Sequence, residues 1–217
     1  ADGNHFFIGT GSGLFRAGIG DGRLKLLSDE TVESISTPVH ELYYHVVSKQ
    51  LFIGSYKEGV LIYDMEGTGK IIPCQSPNNV EINQIVALNA HELLVATGGK
   101  GVYKLDVNTC MSEPYITANY SSYNGMNGNN INDIYVDEEE RIWLANYPTG
   151  ITVRNNRYGS YDLIRHSLGN SRSLVNDQVH DVLEDSDGDF WFATSNGIST
   201  VSYTHLRAHE TELHLVC

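Results

Sequence analysis

Carboxyl and imidazole side chains recur along the chain in positions where they could act as acids and bases. One polar slot between two apolar positions is occupied by Glu41, Gln84, Asp133 and Asp181. Acid–base catalysis needs two groups in different environments that converge on one substrate. A slot that is repeated gives every copy the same role, so we predict no catalytic residue here. We interpret the slot as an acceptor of main-chain hydrogen bonds from a neighbouring repeat.

Two further segments resemble ligand-binding loops. The turn DSDGD at 185–189 has glycine fourth and Asn196 twelfth, whereas an EF-hand loop has glycine sixth and Glu twelfth. The run GTGSG at 9–13 has Leu14 where a dinucleotide fingerprint has its last glycine. We predict hairpin turns at both places and no cofactor. His40 and His180 lie three repeats apart, which predicts no metal site.

The elements that must position these groups come from a phrase that occurs five times. The copies are FFIGTGSGL around Gly9, LFIGSYKEGV around Gly54, LLVATGGKGV around Ala96, IWLANYPTGI around Ala145 and FWFATSNGI around Ala193. Successive copies are about 40–50 residues apart, which is typical of the blades of a β-propeller. This period predicts an all-β fold.

Each repeat contains further strands in constant register. Strand A is predicted at 39–42, 82–85, 131–134 and 179–182, strand B is the phrase itself, and strand C follows its second glycine. We predict an incomplete β-propeller over residues 1–200, with three full four-stranded blades and partial blades at both ends. The blade repeats span about 1–30, 31–75, 76–120, 121–168 and 169–200.

The C-terminal residues do not continue the repeat. The run VSYTHLRAHET at 201–211 resembles the direct translation of a common sequencing adapter, and LVC at 215–217 matches the continuation of that adapter. We predict that residues 201–217 are an adapter artefact outside the fold. The last blade is then cut inside strand C, and the chain is a truncated fragment.

Charge and cysteine content exclude some classes of function. The formal net charge of −13 disfavours a surface that binds nucleic acid. No run approaches the roughly 20 apolar residues of a membrane span, so none is expected in this chain. Cys74 and Cys110 occupy different positions in the repeat; two free thiols are favoured and a disulfide is left open.

Large side chains occupy one slot of strand B in every copy. They are Phe7, Phe52, Leu94, Trp143 and Trp191. The tryptophans could stack on sugars, but their flanks are apolar and their position is fixed by the repeat. We predict that this slot packs between blades.

The loops that enter strand A and that join strand B to strand C share one face of a propeller, and here they carry aromatic, amide and imidazole groups. Such groups suit a polyhydroxylated ligand. Asn and Tyr are also common in turns, so the structural alternative stays open. The candidate ligand-binding residues are His40, Tyr56, Asn83, Lys100, Asn132, Asn146, Tyr147 and His180.

Two segments carry a family resemblance. Residues 132–145 (NDIYVDEEERIWLA) and 176–198 (NDQVHDVLEDSDGDFWFATSNGI) resemble the two-component regulator propeller repeat, roughly N-x-V-x-x-I-x-x-D-x-x-G-x-L-W-I-G-T-x-x-G-L. The resemblance covers residues 1–200 and is strongest in the last two blades. The first three blades lack the Trp and the Asp-x-x-Gly turn.

The resemblance implies the periplasmic sensing region of a hybrid two-component sensor that detects oligosaccharides. It also implies partners: the remaining blades, downstream domains with a membrane-linked histidine kinase, and a second copy in a homodimer. The chain itself would then not be an enzyme. The alternative is a propeller enzyme or secreted carbohydrate-binding protein, which would need singular polar residues that converge on one site. A downstream membrane helix and kinase in the full reading frame would discriminate between them.

Overall fold

The described part of the chain consists of β-strands and their connections. The computed structural model describes residues 5–20, 23–27, 35, 37–65, 70–118, 126, 128–201 and 215–216. Within these residues the strands form five sheets, and no helix is present. The described residues accordingly contain no helix of the length and hydropathy that a bilayer span requires.

Each sheet is a meander, because its hydrogen-bonded neighbours are consecutive in the chain. The first sheet holds β1 (His5–Thr10), β2 (Gly13–Gly20) and β3 (Arg23–Leu27). The second holds β4 (Val39–His45), β5 (Gln50–Ser55), β6 (Gly59–Asp64) and β7 (Ile71–Pro73). The third holds β8 (Ile82–Ala87), β9 (Glu92–Thr97), β10 (Val102–Asp106) and β11 (Ser112–Ile116).

The last two sheets repeat this plan. The fourth holds β12 (Ile131–Val136), β13 (Arg141–Asn146), β14 (Gly150–Asn155) and β15 (Ser160–Ile164). The fifth holds β16 (Val179–Glu184), β17 (Phe190–Thr194), β18 (Gly197–Val201) and β19 (Leu215–Val216). We call these sheets blades 1 to 5 and their strands A to D; blade 1 begins at strand B. The predicted strands and the three full blades are confirmed.

Strand A begins with a β-bulge in blades 2, 4 and 5. The pairing of strands A and B shifts there, and the extra residues are His40, Asn132 and His180. A bulge bends its strand and redirects a side chain. The repeated slot at the start of strand A, identified in the sequence, is therefore a bulge position in these three blades.

The two end blades differ from each other. Among the described residues blade 1 has strands B, C and D, as predicted. Blade 5 has strands A to C, and β19 pairs with β18 through Thr200 with Val216 and Val201 with Leu215. Two C-terminal residues thus take the position of strand D, which the sequence did not predict. Residues 202–214 lie outside the described residues, so the exclusion of 201–217 from the fold stays a prediction.

The chain divides into two compact units. The first comprises Ala1–Val95 and Lys104–Glu113, and the second comprises Ala96–Tyr103 and Pro114–Cys217. In the first unit, Leu14 of blade 1 and Val39 and Ile53 of blade 2 belong to one buried cluster. Phe7 packs on this cluster with its ring 5.3 Å from that of Tyr63. The strand-B slot packs between blades here, as predicted.

The core of the second unit lies between blades 4 and 5. Trp143 is 1% exposed and stacks on Phe190, with ring centroids 4.1 Å apart and an interplanar angle of 19°. Phe192 lies beside them, 6.0 Å from Trp143. The predicted packing role is confirmed for Trp143. It does not extend to Trp191, which is 41% exposed because it lies on the opposite face of blade 5 from Phe190.

The structure corrects the preference for two free thiols. Cys74 and Cys110 form a disulfide, with their Cα atoms 4.9 Å apart. Beside it, the main-chain N–H of Gln75 donates to Cys110 O at 2.9 Å, and Ser112 N–H donates to Gln75 O at 2.9 Å. The end of β7 is thus joined to the turn before β11. The two cysteines come together although they occupy different positions in their repeats, because Cys74 follows strand D of blade 2 and Cys110 precedes strand D of blade 3.

Candidate functional site

The loops that join strands B and C are tied to the crossover that enters the next blade. Gly101 and Gly150 have φ values of 80° and 88°, and their N–H groups donate to Asn129 O and Asp177 O, both at 2.8 Å. A Cβ on either glycine would collide with the carbonyl oxygen of a residue at the end of strand D. The positive φ and the close approach both require glycine. Each glycine therefore holds its B–C loop against the next crossover.

Blade 4 departs from the repeat at the end of strand B. In blade 3, Thr97 Oγ1 donates to Gly101 O at 2.7 Å and accepts from Lys100 N–H at 2.9 Å, which closes the turn. Asn146 takes this position in blade 4, fully buried, and its Nδ2 donates to Gly128 O at 3.2 Å. Its Oδ1 is buried without a hydrogen-bond partner. The B–C loop of blade 4 therefore has a buried amide where that of blade 3 has a hydroxyl that closes the turn.

Two of the candidate residues meet at the edge of this loop. The ring centroids of Tyr147 and His180 are 6.2 Å apart, with an interplanar angle of 40°. His180 Nε2 is hydrogen-bonded to Ser195 Oγ at 2.7 Å, and both residues are exposed. The three residues form a small surface with an aromatic ring, an imidazole and a hydroxyl. We call Tyr147, His180 and Ser195 the loop cluster.

Ser195 was missed by the sequence analysis. It follows the end of strand B in blade 5, the position that Tyr56 and Tyr147 hold in blades 2 and 4. Its main-chain N–H donates to Gln178 O at 3.0 Å, as that of Tyr147 does to Asn130 O at 2.9 Å. Alignment of the three loops could have identified the position, but not the contact with His180, which depends on the bulge.

Three other candidates, Asn83 of the first unit and Lys100 and Asn132 of the second, have structural contacts. Asn132 Nδ2 donates to Val179 O at 2.9 Å and so links the starts of strands A in blades 4 and 5. Asn83 and Lys100 also take part in interactions within the chain. Lys100 is exposed, whereas Asn83 is partly buried. The side-chain amide of Asn132 therefore has a structural role, which is the alternative to ligand binding that the sequence analysis left open.

The first unit holds the remaining two candidates. His40 is exposed, and its Nδ1 lies 3.6 Å from Glu81 Oε1. Tyr56 is half exposed, and its main-chain N–H donates to Pro38 O at 3.3 Å. Among the eight candidates, Tyr147 and His180 are brought into ring contact by the structure.

The acidic slot of strand A binds main-chain N–H groups of the next blade, as predicted. Glu41 Oε1 accepts from Ile85 N–H at 3.4 Å, and Asp133 Oδ2 accepts from Val182 N–H at 2.7 Å. Burial, together with the nearby Asp181 carboxyl, raises the pKa of Asp133 to about 7. Burial also raises the pKa of Glu41. These carboxyls hold adjacent blades together rather than face a substrate.

The aspartate-rich segment at 185–189 forms a hairpin turn, as predicted. Asp185 Oδ1 accepts from the N–H groups of Asp187 and Asp189 at 2.9 and 3.0 Å, and its Oδ2 accepts from Trp191 Nε1 at 2.7 Å. The bond from Trp191 is the largest cause that lowers the pKa of Asp185. In the described part of the chain no group of three or more His, Cys, Asp or Glu side chains could hold a metal ion. The GTGSG run likewise joins β1 to β2.

Five meandering sheets of this repeat define the class of the protein as an incomplete β-propeller. Residues 173–196 match the family model of the two-component regulator propeller. They span the crossover into blade 5 and its first two strands, and they lie within the region of the strongest resemblance in the sequence. This segment is similar to a two-component regulator propeller repeat.

Solved structures share the fold. The extracellular domain described as that of the hybrid two-component system BT4673 from Bacteroides thetaiotaomicron has a TM-score of 0.71 at 17% identity, over 92% of this chain and 26% of that chain. The corresponding domain of BT3049 from the same organism has a TM-score of 0.54 at 18% identity, over 90% and 31% of the two chains. The chain thus spans about a quarter to a third of their length. No curated protein matches the chain in sequence.

Proposed function

We propose that this chain is part of the extracytoplasmic ligand-sensing propeller of a hybrid two-component sensor. The observation that carries the proposal is the regulator propeller repeat at 173–196, within a fold similar to extracellular domains of such systems. The parent protein would add the remaining blades, downstream domains and a membrane-linked histidine kinase, and it would act as a homodimer. The chain would bind ligand without transforming it.

The proposed ligand is an oligosaccharide. Tyr147 offers an aromatic face, and the imidazole of His180 with the hydroxyl of Ser195 offers hydrogen bonds beside it. Apolar sugar faces stack on aromatic rings, while sugar hydroxyls need fixed donors and acceptors.

A periplasmic location is part of this proposal. Disulfides persist in oxidising compartments and are rare in the cytosol. The Cys74–Cys110 bond lies within the folded part of the chain and supports an extracytoplasmic location. We expect peptide mapping of non-reduced protein exported to a bacterial periplasm to recover the 74–110 cross-link. Recovery of both cysteines as free thiols in that material would argue against this location.

The alternative of a propeller enzyme rests on one contact. His180 Nε2 and Ser195 Oγ have the separation of a base and a nucleophile, 2.7 Å. Such pairs work when a third group orients the base. In the residues that the structure describes, no carboxylate is bonded to His180, and both residues are exposed. A binding role uses the same two groups without this requirement.

Calorimetric titration of the 217-residue chain with oligosaccharides tests ligand binding. A panel of cello-, xylo-, malto- and arabino-oligosaccharides should contain at least one that binds. Tyr147→Ala and His180→Ala should each weaken binding about tenfold or more, which is the loss of one well-formed contact. Tyr158→Ala is the matched control, because Tyr158 is an exposed tyrosine in the C–D turn of the same blade. Equal loss in all three variants would remove the loop cluster from the proposed site.

A further inference from the structure

Arg165 directly follows strand D of blade 4, at a position where blade 3 has Thr117. The two positions are equivalent in space. A Cβ on Gly101 would lie 3.3 Å from Thr117 Cα, and a Cβ on Gly150 would lie 3.4 Å from Arg165 Cα. Because a threonine allows the same course of the main chain in blade 3, the crossover that leaves blade 4 does not require an arginine.

The side chain that fixes the start of this crossover also has an equivalent in blade 3. Asn129 Oδ1 accepts from Ala118 N–H at 2.7 Å, and Asp177 Oδ1 accepts from His166 N–H at 2.5 Å. An amide therefore suffices for this bond. The carboxylate of Asp177 adds a second contact, because its Oδ2 lies 3.5 Å from Arg165 Nη2. Asp177 thus holds the guanidinium of Arg165 in place.

The guanidinium of Arg165 can still bind a ligand. The side chain is 48% exposed although it is paired with Asp177. A guanidinium has five N–H donors in a planar fork, and one carboxylate oxygen at 3.5 Å cannot occupy all of them. Arginine binds a carboxylate or a similar oxyanion through two parallel hydrogen bonds. An oxyanion is therefore the chemical group that this side chain suits.

Arg165 lies beside the loop cluster. Its side chain lies against Gly150, since a Cβ on that glycine would be 3.1 Å from Arg165 Cγ. Tyr147 precedes Gly150 by three residues, and His180 follows Asp177 by three residues. Each of these two spans is at most about 11 Å. A short oligosaccharide can therefore contact the loop cluster and Arg165 together.

The charge of the crossover 165–178 differs in sign from that of the whole chain. The formal net charge of the chain is −13, which repels an anionic ligand on average. The crossover contains two arginines, Arg165 and Arg172, and one carboxylate, Asp177. A locally positive segment on an acidic protein favours the binding of an anion at that segment over the rest of the surface.

We propose that the ligand of the loop cluster carries an oxyanion, a carboxylate or a sulfate ester, and that Arg165 binds this group. The inference rests on the proposed function, because it names the chemical class of the oligosaccharide. Tyr147 would bind the apolar face of a sugar ring, and His180 and Ser195 would bind hydroxyl groups. Arg165 would then select acidic sugars over neutral ones.

Calorimetric titration of the full chain with matched acidic and neutral probes tests this inference. The carboxylate arm uses oligogalacturonates and their methyl esters, and the sulfate arm uses carrageenan oligosaccharides and their desulfated forms. At least one acidic probe should bind about tenfold or more tightly than its neutral counterpart. Its affinity should fall as sodium chloride is raised, whereas the affinity of the neutral probe should not.

The variant that tests the role of Arg165 is Arg165→Gln. It should weaken binding of the acidic probe about ten- to a hundredfold and leave binding of the neutral counterpart unchanged. Arg157→Gln is the matched control, because it removes one positive charge from the exposed C–D turn at the other end of the same blade. Arg165→Thr, which copies blade 3, is the second variant if circular dichroism shows that Arg165→Gln is unfolded.

Three results would overturn the inference and keep the proposed function. A neutral oligosaccharide could bind when no acidic probe binds, the acidic and neutral probes could bind equally well to the wild type and to Arg165→Gln, or Arg157→Gln could cost as much as Arg165→Gln. Absence of binding for every acidic and neutral probe would instead remove the proposed function, and the inference with it.

Discussion

Blade 4 and blade 5 make the same A–B turn, with an aspartate and a tryptophan at the same two positions. Asp137 Oδ2 accepts from Trp143 Nε1 at 2.8 Å, and Asp185 Oδ2 accepts from Trp191 Nε1 at 2.7 Å. In both blades the other oxygen of the aspartate accepts from N–H groups two and four residues later. Trp143 is nevertheless buried and Trp191 is 41% exposed.

The difference separates two origins of structure in a repeat protein. Hydrogen bonds within the turn depend on residues a few positions apart, so both blades form them. Burial of the tryptophan depends on the next blade, because each blade covers the preceding one. The same side chain can therefore be a core residue in one blade and a surface residue in another.

The largest expected difference between the two blades is in the cost of removing the tryptophan. Trp143→Ala should lower the free energy of unfolding by about 3–5 kcal/mol, since it leaves a cavity beside Phe190. Trp191→Ala should cost less than about 1.5 kcal/mol, since much of its ring is already in water. Urea unfolding of both variants measures the difference. Equal costs would mean that Trp191 is covered in solution.

Replacing the aspartate of the turn should also lower the free energy of unfolding more in blade 4 than in blade 5, but by less than replacing the tryptophan. Asp137 is buried and also accepts from Arg141 Nε at 2.7 Å, so Asp137→Asn leaves buried donors unpaired. The expected loss of unfolding free energy is about 2–3 kcal/mol. Asp185→Asn in the exposed turn should cost less. Urea titrations of the two variants side by side measure this, and a greater loss for Asp185→Asn would contradict the comparison.

The acidic slot of strand A predicts a pH dependence of stability, to which Asp133 of blade 4 contributes. Burial raises the folded-state pKa of Asp133 to about 7, well above the value of an unfolded chain. From about pH 4 to pH 7 the folded state keeps this proton and the unfolded state loses it, so the free energy of unfolding falls as pH rises. Asp133→Asn should reduce this fall by on the order of 2 kcal/mol.

Glu41→Gln should reduce the slope as well, because burial also raises the pKa of Glu41 in blade 2. Asp181→Asn should also reduce the slope, because the Asp181 carboxyl contributes to the raised pKa of Asp133. Denaturant titrations at several pH values give the slopes. An Asp133→Asn protein with the wild-type slope would assign the pH dependence to other groups.

The smallest effect is spectroscopic. The chain has two tryptophans, so Trp143→Phe reports on Trp191 alone and Trp191→Phe reports on Trp143 alone. Acrylamide should quench the emission of Trp191 several-fold more steeply than that of Trp143. Steeper quenching of Trp143 would reverse the assignment of buried and exposed rings.

Much of the fold could be predicted because its signals are local. Strand alternation, the glycine before strand C and the polar A–B turns are written within a few residues of each other, and all four strands A were identified. The site was less predictable. The contact between Tyr147 and His180 joins residues of two blades, and the unpaired Oδ1 of Asn146 depends on Gly128 in the crossover before strand A. Neither contact leaves a pattern in the sequence.

The sequence by itself determined the number of repeats, strands A to C of the blades, the hairpin turn at 185–189, and the resemblance of the last repeats to a known family. Only the tertiary structure decided that Cys74 pairs with Cys110, that the pKa of Asp133 is raised, and that Trp143 is buried while Trp191 is exposed. Backbone geometry follows from residues near in sequence. Burial, electrostatic environment and cross-links depend on which blade lies alongside. They are not encoded in the repeat itself, because nearly the same residues recur whether or not a neighbouring blade covers them.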